Sequence, residues 1–131
     1  QISFTDPARN RSIPTRVYYP GKSTGNDALF EEGSFPLIVL GHGFAMNYQA
    51  YLNFRDTLVP RGYILAIPTT ETGPIPFPDH GEFGSDLKFL NTHIKAQNNI
   101  PGSFFYGHVR QHSAIMGHSM GGGASVLASA D

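Results

Sequence analysis

A serine with a glycine two positions away on each side stands at Gly117-His118-Ser119-Met120-Gly121. An apolar run, Ser113-Ala114-Ile115-Met116, leads into it, and a run of small residues from Gly122 to Ala130 leads out. Strand, sharp turn and helix in that order put the serine at the tip of the turn, in a strained backbone conformation with its hydroxyl projecting from the sheet. Gly117 and Gly121 are expected where strand and helix approach too closely for a Cβ. A hydroxyl so placed can attack a carbonyl carbon. The bland alternative is a glycine-rich loop before a helix.

Attack on a carbonyl puts negative charge on its oxygen, and that charge needs preorganised donors. Gly41-His42-Gly43-Phe44 can supply one. It follows Pro36-Leu37-Ile38-Val39-Leu40, a continuous apolar run bounded by Pro and Gly that predicts a strand buried on both faces. The backbone N–H groups of Phe44 and Met120 are the candidate oxyanion donors. Losing one such donor costs about a hundred- to a thousandfold in rate. The alternative is that Gly41 and Gly43 merely permit a tight turn.

The elements that must position these turns are legible in outline. Ile2 to Thr5 and Ile13 to Tyr19 predict a hairpin around Asp6 to Ser12, and a polar loop covers Pro20 to Ser34. Tyr48, Tyr51, Leu52, Leu58 and Val59 recur at helical spacing, so one helix is expected from Asn47 to Arg61, ended by Gly62. Tyr63 to Ile67 predicts another buried strand. Phe83, Leu87, Leu90 and Ile94 mark a second helix over about Glu82 to Gln97, with His93 on its solvated side. Asn98 to His112 is expected as a connection, with His108 and His112 at the surface. The alternation of strands and helices predicts an α/β fold with a mostly parallel sheet and an N-terminal antiparallel hairpin. The loop Thr69 to Gly81 would leave the carboxyl end of a strand, where open sheets bind ligands. Its Gly73-Pro74-Ile75-Pro76-Phe77-Pro78 is stiff and apolar, so Phe77, with Phe44, is a candidate wall of a substrate pocket; an ordinary surface connection is the alternative.

On Gly41-His42-Gly43-Phe44 and Gly117-His118-Ser119-Met120-Gly121, each after a strand, the chain resembles the α/β-hydrolase family in its esterase, lipase and cutinase-like branch. Asp6 to Pro20 is similar to the first hairpin of polyester hydrolases and of acetylhydrolases that act on platelet-activating factor. The resemblance implies that Ser119 is the nucleophile of an acyl-enzyme mechanism and that Gly117, His118, Gly121, His42 and Gly43 support the two turns. The family orders its triad as Ser, then Asp or Glu, then His. No position here matches the last two. Residues 1–131 are therefore expected to be the N-terminal part of a single domain, with base and acid on a missing half that also pairs with the strand before Ser119.

Composition bounds the rest. The formal charge of −1 gives no electrostatic case for nucleic acid or an anionic membrane as partner. No apolar run approaches the roughly 20 residues that span a bilayer. The absence of Cys removes cysteine catalysis and disulfides from these residues and leaves the compartment open. No cysteine is available for a zinc site, none is expected, and the chemistry calls for no cofactor. Other acyl-transfer hydrolases (peptidase, thioesterase, acyltransferase) would share the serine turn, and an inactive scaffold could serve as a binding protein. A dinucleotide site is disfavoured, because Ser119 stands where its second glycine must be.

Overall fold

The computed structural model describes residues 1–130. Strands β1 (Ile2–Asp6) and β2 (Arg11–Tyr18) form a hairpin, followed by β3 (Phe35–Gly41), α1 (Leu52–Leu58), β4 (Ile64–Pro68), α2 (His80–Gln97), β5 (Val109–Gly117) and α3 (Met120–Ser129). One five-stranded sheet runs in the order β1-β2-β4-β3-β5. β3 is parallel to both its neighbours, β4 and β5, whereas β1–β2 and β2–β4 are antiparallel. The sheet is therefore mixed: β3, β4 and β5 run parallel, and the expected antiparallel hairpin joins them through β2. The tight turn over Pro7 to Asn10 (Asn10 φ 47°) joins β1 to β2, and a turn that short permits only antiparallel pairing.

β3 and β4 are apolar at nearly every position because both their faces are covered. Leu37, Val39, Ile64 and Ala66 pack with Phe83, Leu87, Leu90 and Ile94 of α2 and with Ala124 of α3. Ile38, Leu40, Leu65 and Ile67 pack on the other side with Tyr51, Phe54 and Leu58. The period-two alternation of a strand thus fills two cores at once, each fully buried Leu or Ile contributing about 1.5–3 kcal/mol.

Three boundaries differ from expectation. β5 starts at Val109, ahead of its apolar run, because buried Val109 pairs with Phe35; exposed Arg110, Gln111 and His112 form the irregularity between that pair and the next, Leu37 with Ser113. The segment before β4 is α-helical only over α1. It begins with a 3₁₀ turn, Tyr48–Tyr51, where Asn47 Oδ1 accepts from Gln49 N–H at 2.9 Å, and it ends in another, Val59–Arg61, where Pro60 lacks a donor. α2 starts earlier, at His80, because Asp79 Oδ1 caps it by accepting from Glu82 N–H at 2.9 Å.

α2 also carries two polar groups into packed surroundings. Asp86 is fully buried and accepts from Arg11 Nε (2.8 Å), Arg11 Nη2 (2.9 Å) and the Thr70 hydroxyl (2.6 Å). Arg9 Nη2 lies 2.8 Å from Asp86 Oδ1 as an ion pair without hydrogen-bond geometry. These contacts pin the hairpin to α2. His93, expected in solvent, is half-buried instead, its ring 5.6 Å from that of Phe4 and 5.0 Å from that of Phe89.

Two outcomes are expected. Asp86→Ala leaves two guanidinium groups without their shared carboxylate. Loss of one partner of a buried pair costs about 3–5 kcal/mol, and the partial exposure of both arginines sets the loss near the low end, measurable by denaturant unfolding. Burial pushes the His93 imidazole below its ordinary pKa of about 6.5. The unfolded chain then takes up a proton that the folded chain resists, so stability falls as pH drops below about 6.5. Melting temperatures measured from about pH 7.5 down to 5.5 should fall less steeply for His93→Leu. Asp6, held low chiefly by its hydrogen bond from Arg9, adds acid sensitivity only near pH 4 and below.

Candidate functional site

Ser119 stands at the crest of the turn between β5 and α3, with φ 55° and ψ −117°. Those angles lie outside the ordinary regions for a residue with a Cβ and store local strain. Its side chain is exposed, does not cap α3, and has no hydrogen-bond partner among the described residues. Backbone bonds hold the turn instead. Gly121 N–H donates to the His118 carbonyl at 2.9 Å, and Gly122 N–H and Gly123 N–H donate to the Ser119 carbonyl at 2.9 and 3.2 Å.

The glycines are demanded by contact. A Cβ on Gly117 would lie 2.1 Å from the Gly121 oxygen. A Cβ on Gly121 would lie 2.0 Å from the Gly41 oxygen and 2.6 Å from the His42 oxygen. The first is the strand–helix approach that the sequence predicts. The second is a contact between α3 and the end of β3 that the sequence alone does not reveal.

That contact sets the two turns side by side. β3 and β5 pair in parallel with Gly41 opposite Gly117, so both strands end at one level. His118 N–H donates to the Gly41 carbonyl at 3.1 Å across the gap. Phe44 lies on the β3 turn, 44% exposed, and no described residue accepts from its N–H. Met120 opens α3, where first-turn N–H groups lack intrahelical acceptors. His42 is fully buried, its Nε2 2.7 Å from the Thr70 carbonyl, its Nδ1 2.9 Å from the Gly43 carbonyl and its ring 4.5 Å from Phe83. It fastens the β3 turn to the loop after β4. His118 is exposed, and its Nδ1 lies 3.0 Å from the Tyr51 hydroxyl.

The loop after β4 reaches the same place. Phe77, 74% exposed, sets its ring 5.6 Å from that of Phe44, and Ile75 is 93% exposed beside it. Glu71 braces the loop, accepting from Asp79 N–H at 2.6 Å and from Arg11 Nη2 at 2.8 Å. The remaining histidines lie elsewhere: His80 on the first turn of α2, His93 against Phe4, His112 on β5, and His108 stacked on Phe30 at 4.5 Å. A cleft of about 1040 Å³ is lined by Tyr18, Tyr19, Lys22 and Arg55, at the opposite end of the sheet from Ser119. No group of three or more His, Asp or Glu able to hold a metal, and no helix long and apolar enough to cross a membrane, occurs among the described residues.

Tyr51 is the site residue that sequence reasoning missed. Its place in an apolar helical repeat suggested packing alone. The available signal was a tyrosine, with a hydroxyl to satisfy, where leucine would fill the same space.

No family model and no curated protein sequence matches this chain. Among solved structures it is similar to a ferulic acid esterase from Streptomyces cinnamoneus, with a TM-score of 0.72 and 20% identity over 94% of this chain. The match covers 49% of that protein, so the chain spans about half its length. At this identity the likeness establishes an α/β fold resembling that of an esterase.

The glycine contacts generate a graded prediction. Gly121→Ala drives a Cβ into the Gly41 and His42 carbonyls, backbone that cannot yield, and should lower stability by about 3 kcal/mol or more. Gly123→Ala meets nothing within 4 Å and should hold or raise stability by up to about 1 kcal/mol through helix propensity. Parallel thermal melts of the two variants check the contrast.

Proposed function

We propose that these residues are the N-terminal part of an α/β-hydrolase domain that cleaves carboxylic esters through Ser119. The observation that carries the reading is the backbone of Ser119, at φ 55° on a turn between a parallel strand and a helix, with its hydroxyl exposed and unpartnered among the described residues. The similarity to a ferulic acid esterase supports ester cleavage as the reaction.

In this reading Ser119 Oγ bonds to the ester carbonyl carbon as its proton passes to a base. The N–H groups of Phe44 and Met120 receive the negative charge on the carbonyl oxygen. Collapse expels the alcohol, which takes up the proton, and water then releases the acid from Ser119. Gly117, His118 and Gly121 hold the serine turn, and His42 and Gly43 hold the turn of Phe44. Phe44 and Phe77 bear on the apolar part of the ester. A base and an acid from outside residues 1–130 complete the machinery, on chain that also pairs with the free edge of β5 and covers the exposed Val126 and Leu127.

The test uses the full natural protein with a fluorophosphonate probe and p-nitrophenyl esters. Ser119 should be labelled and esters turned over, and Ser119→Ala should lose labelling and about a millionfold in kcat. Labelling without ester turnover points to another acyl-transfer reaction, and an unlabelled, inactive protein points to a binding scaffold.

A further inference from the structure

Tyr51 has a ring that is 3% exposed, packed with Ile38, Leu40, Leu65 and Ile67 on the α1 side of the sheet. Its hydroxyl emerges from that packing at a junction. It accepts from Gly43 N–H at 2.7 Å and lies 3.0 Å from His118 Nδ1 and 3.6 Å from Met46 Sδ. Gly43 is the residue before Phe44, and His118 is the residue before Ser119. One hydroxyl therefore touches both turns, one step upstream of the oxyanion donor in one and of the nucleophile in the other.

A hydroxyl has one proton and two lone pairs. Having accepted from Gly43, it donates to His118 Nδ1, which a neutral imidazole protonated on Nε2 presents as an acceptor; the thioether sulfur of Met46 is the weaker alternative. The Gly43 N–H fixes one peptide plane of the β3 turn, and the imidazole fixes the strand end that delivers Ser119. The neighbourhood leaves little slack, since a Cβ on Gly43 would lie 2.9 Å from Met46 Sδ and 3.1 Å from His118 Nδ1.

Resting on the serine ester-hydrolase reading above, we propose that Tyr51 is a positioning residue: its hydroxyl, anchored by the core, sets the gap between the Phe44 turn and the Ser119 turn. The backbone bond from His118 N–H to the Gly41 carbonyl ties the same turns lower down, at the strand ends. The hydroxyl ties them nearer the reacting atoms. Such a link acts on the transition state, where the oxyanion must meet both donors, more than on substrate binding.

The experiment is steady-state hydrolysis of a p-nitrophenyl ester and fluorophosphonate labelling in the full natural protein. Tyr51→Phe keeps the ring and removes the hydroxyl. The expected result is a fall of about ten- to a hundredfold in kcat and in labelling rate, with KM changed by less than about twofold. His118→Leu should match it, His118→Asn should recover most of the loss by restoring an acceptor, and Tyr51→Phe with His118→Leu should be no slower than either alone. If Tyr51→Phe does not give a cooperative thermal melt, the two substitutions of the exposed His118 carry the test. An active wild type whose variants stay within about twofold in kcat overturns the role of Tyr51 and leaves the serine reading standing. So does an equal loss in His118→Asn and His118→Leu. A wild type that is neither labelled nor active overturns both.

Discussion

Two backbone segments meet at van der Waals limits where α3 begins. The carbonyl of Gly41 occupies the space that a Cβ on Gly121 would need, and the carbonyl of Gly121 occupies the space that one on Gly117 would need. This double contact welds the start of α3 to the ends of β3 and β5. With the helix start held there, the chain has only Gly117 to Met120 in which to turn from strand to helix. That short span drives Ser119 into its positive φ. The exposed hydroxyl is a consequence of close packing beneath it, and the strain is supported by the parallel register of Gly41 with Gly117.

The two cores meet at this contact from opposite faces. From the α2 side, Phe83 packs on His42, which holds the β3 turn against Thr70. From the α1 side, Tyr51 projects its hydroxyl to Gly43 and His118. The alternation of β3 explains why both reach it. Val39 and Leu40 bury on opposite faces, so the turn that follows inherits a support from each. A loop standing alone on the surface would lack that bilateral hold, and loops that position reacting groups depend on a rigid scaffold.

Legibility in the sequence tracks whether a constraint is local. The serine turn and the Phe44 turn were readable because each needs glycines at short spacing beside an apolar run. The stripe Phe83, Leu87, Leu90 and Ile94 placed α2 correctly. Asp86 and His93 escaped, although both flank that stripe at helical spacing, because a polar residue beside an apolar stripe is ordinarily solvated. Arg9, Arg11 and Thr70 make Asp86 a buried hub, and they lie on other elements. The same distance hid Tyr51, whose hydroxyl meets a ring 67 positions away. The first part of β5 escaped because Arg110, Gln111 and His112 carry no apolar signal at a sheet edge, where polar side chains discourage stray pairing.

The hairpin, remote from Ser119 in sequence, is joined to its surroundings by a continuous polar path. Arg11 binds Asp86, Asp86 accepts from the Thr70 hydroxyl, and the Thr70 carbonyl faces His42 Nε2. His42 in turn holds the turn that carries Phe44. A second branch runs from Arg11 through Glu71 to the backbone of Asp79 and closes the loop that carries Phe77. A buried carboxylate is costly to desolvate, so hydrophobic packing alone would fill that space at least as stably. What the charged hub supplies is direction. Its donors approach along fixed lines, and the loops that they anchor are the two whose aromatic rings meet beside the serine turn. The hairpin therefore does more than cap one end of the sheet: through Arg11 it is tied to the loops that carry Phe44 and Phe77.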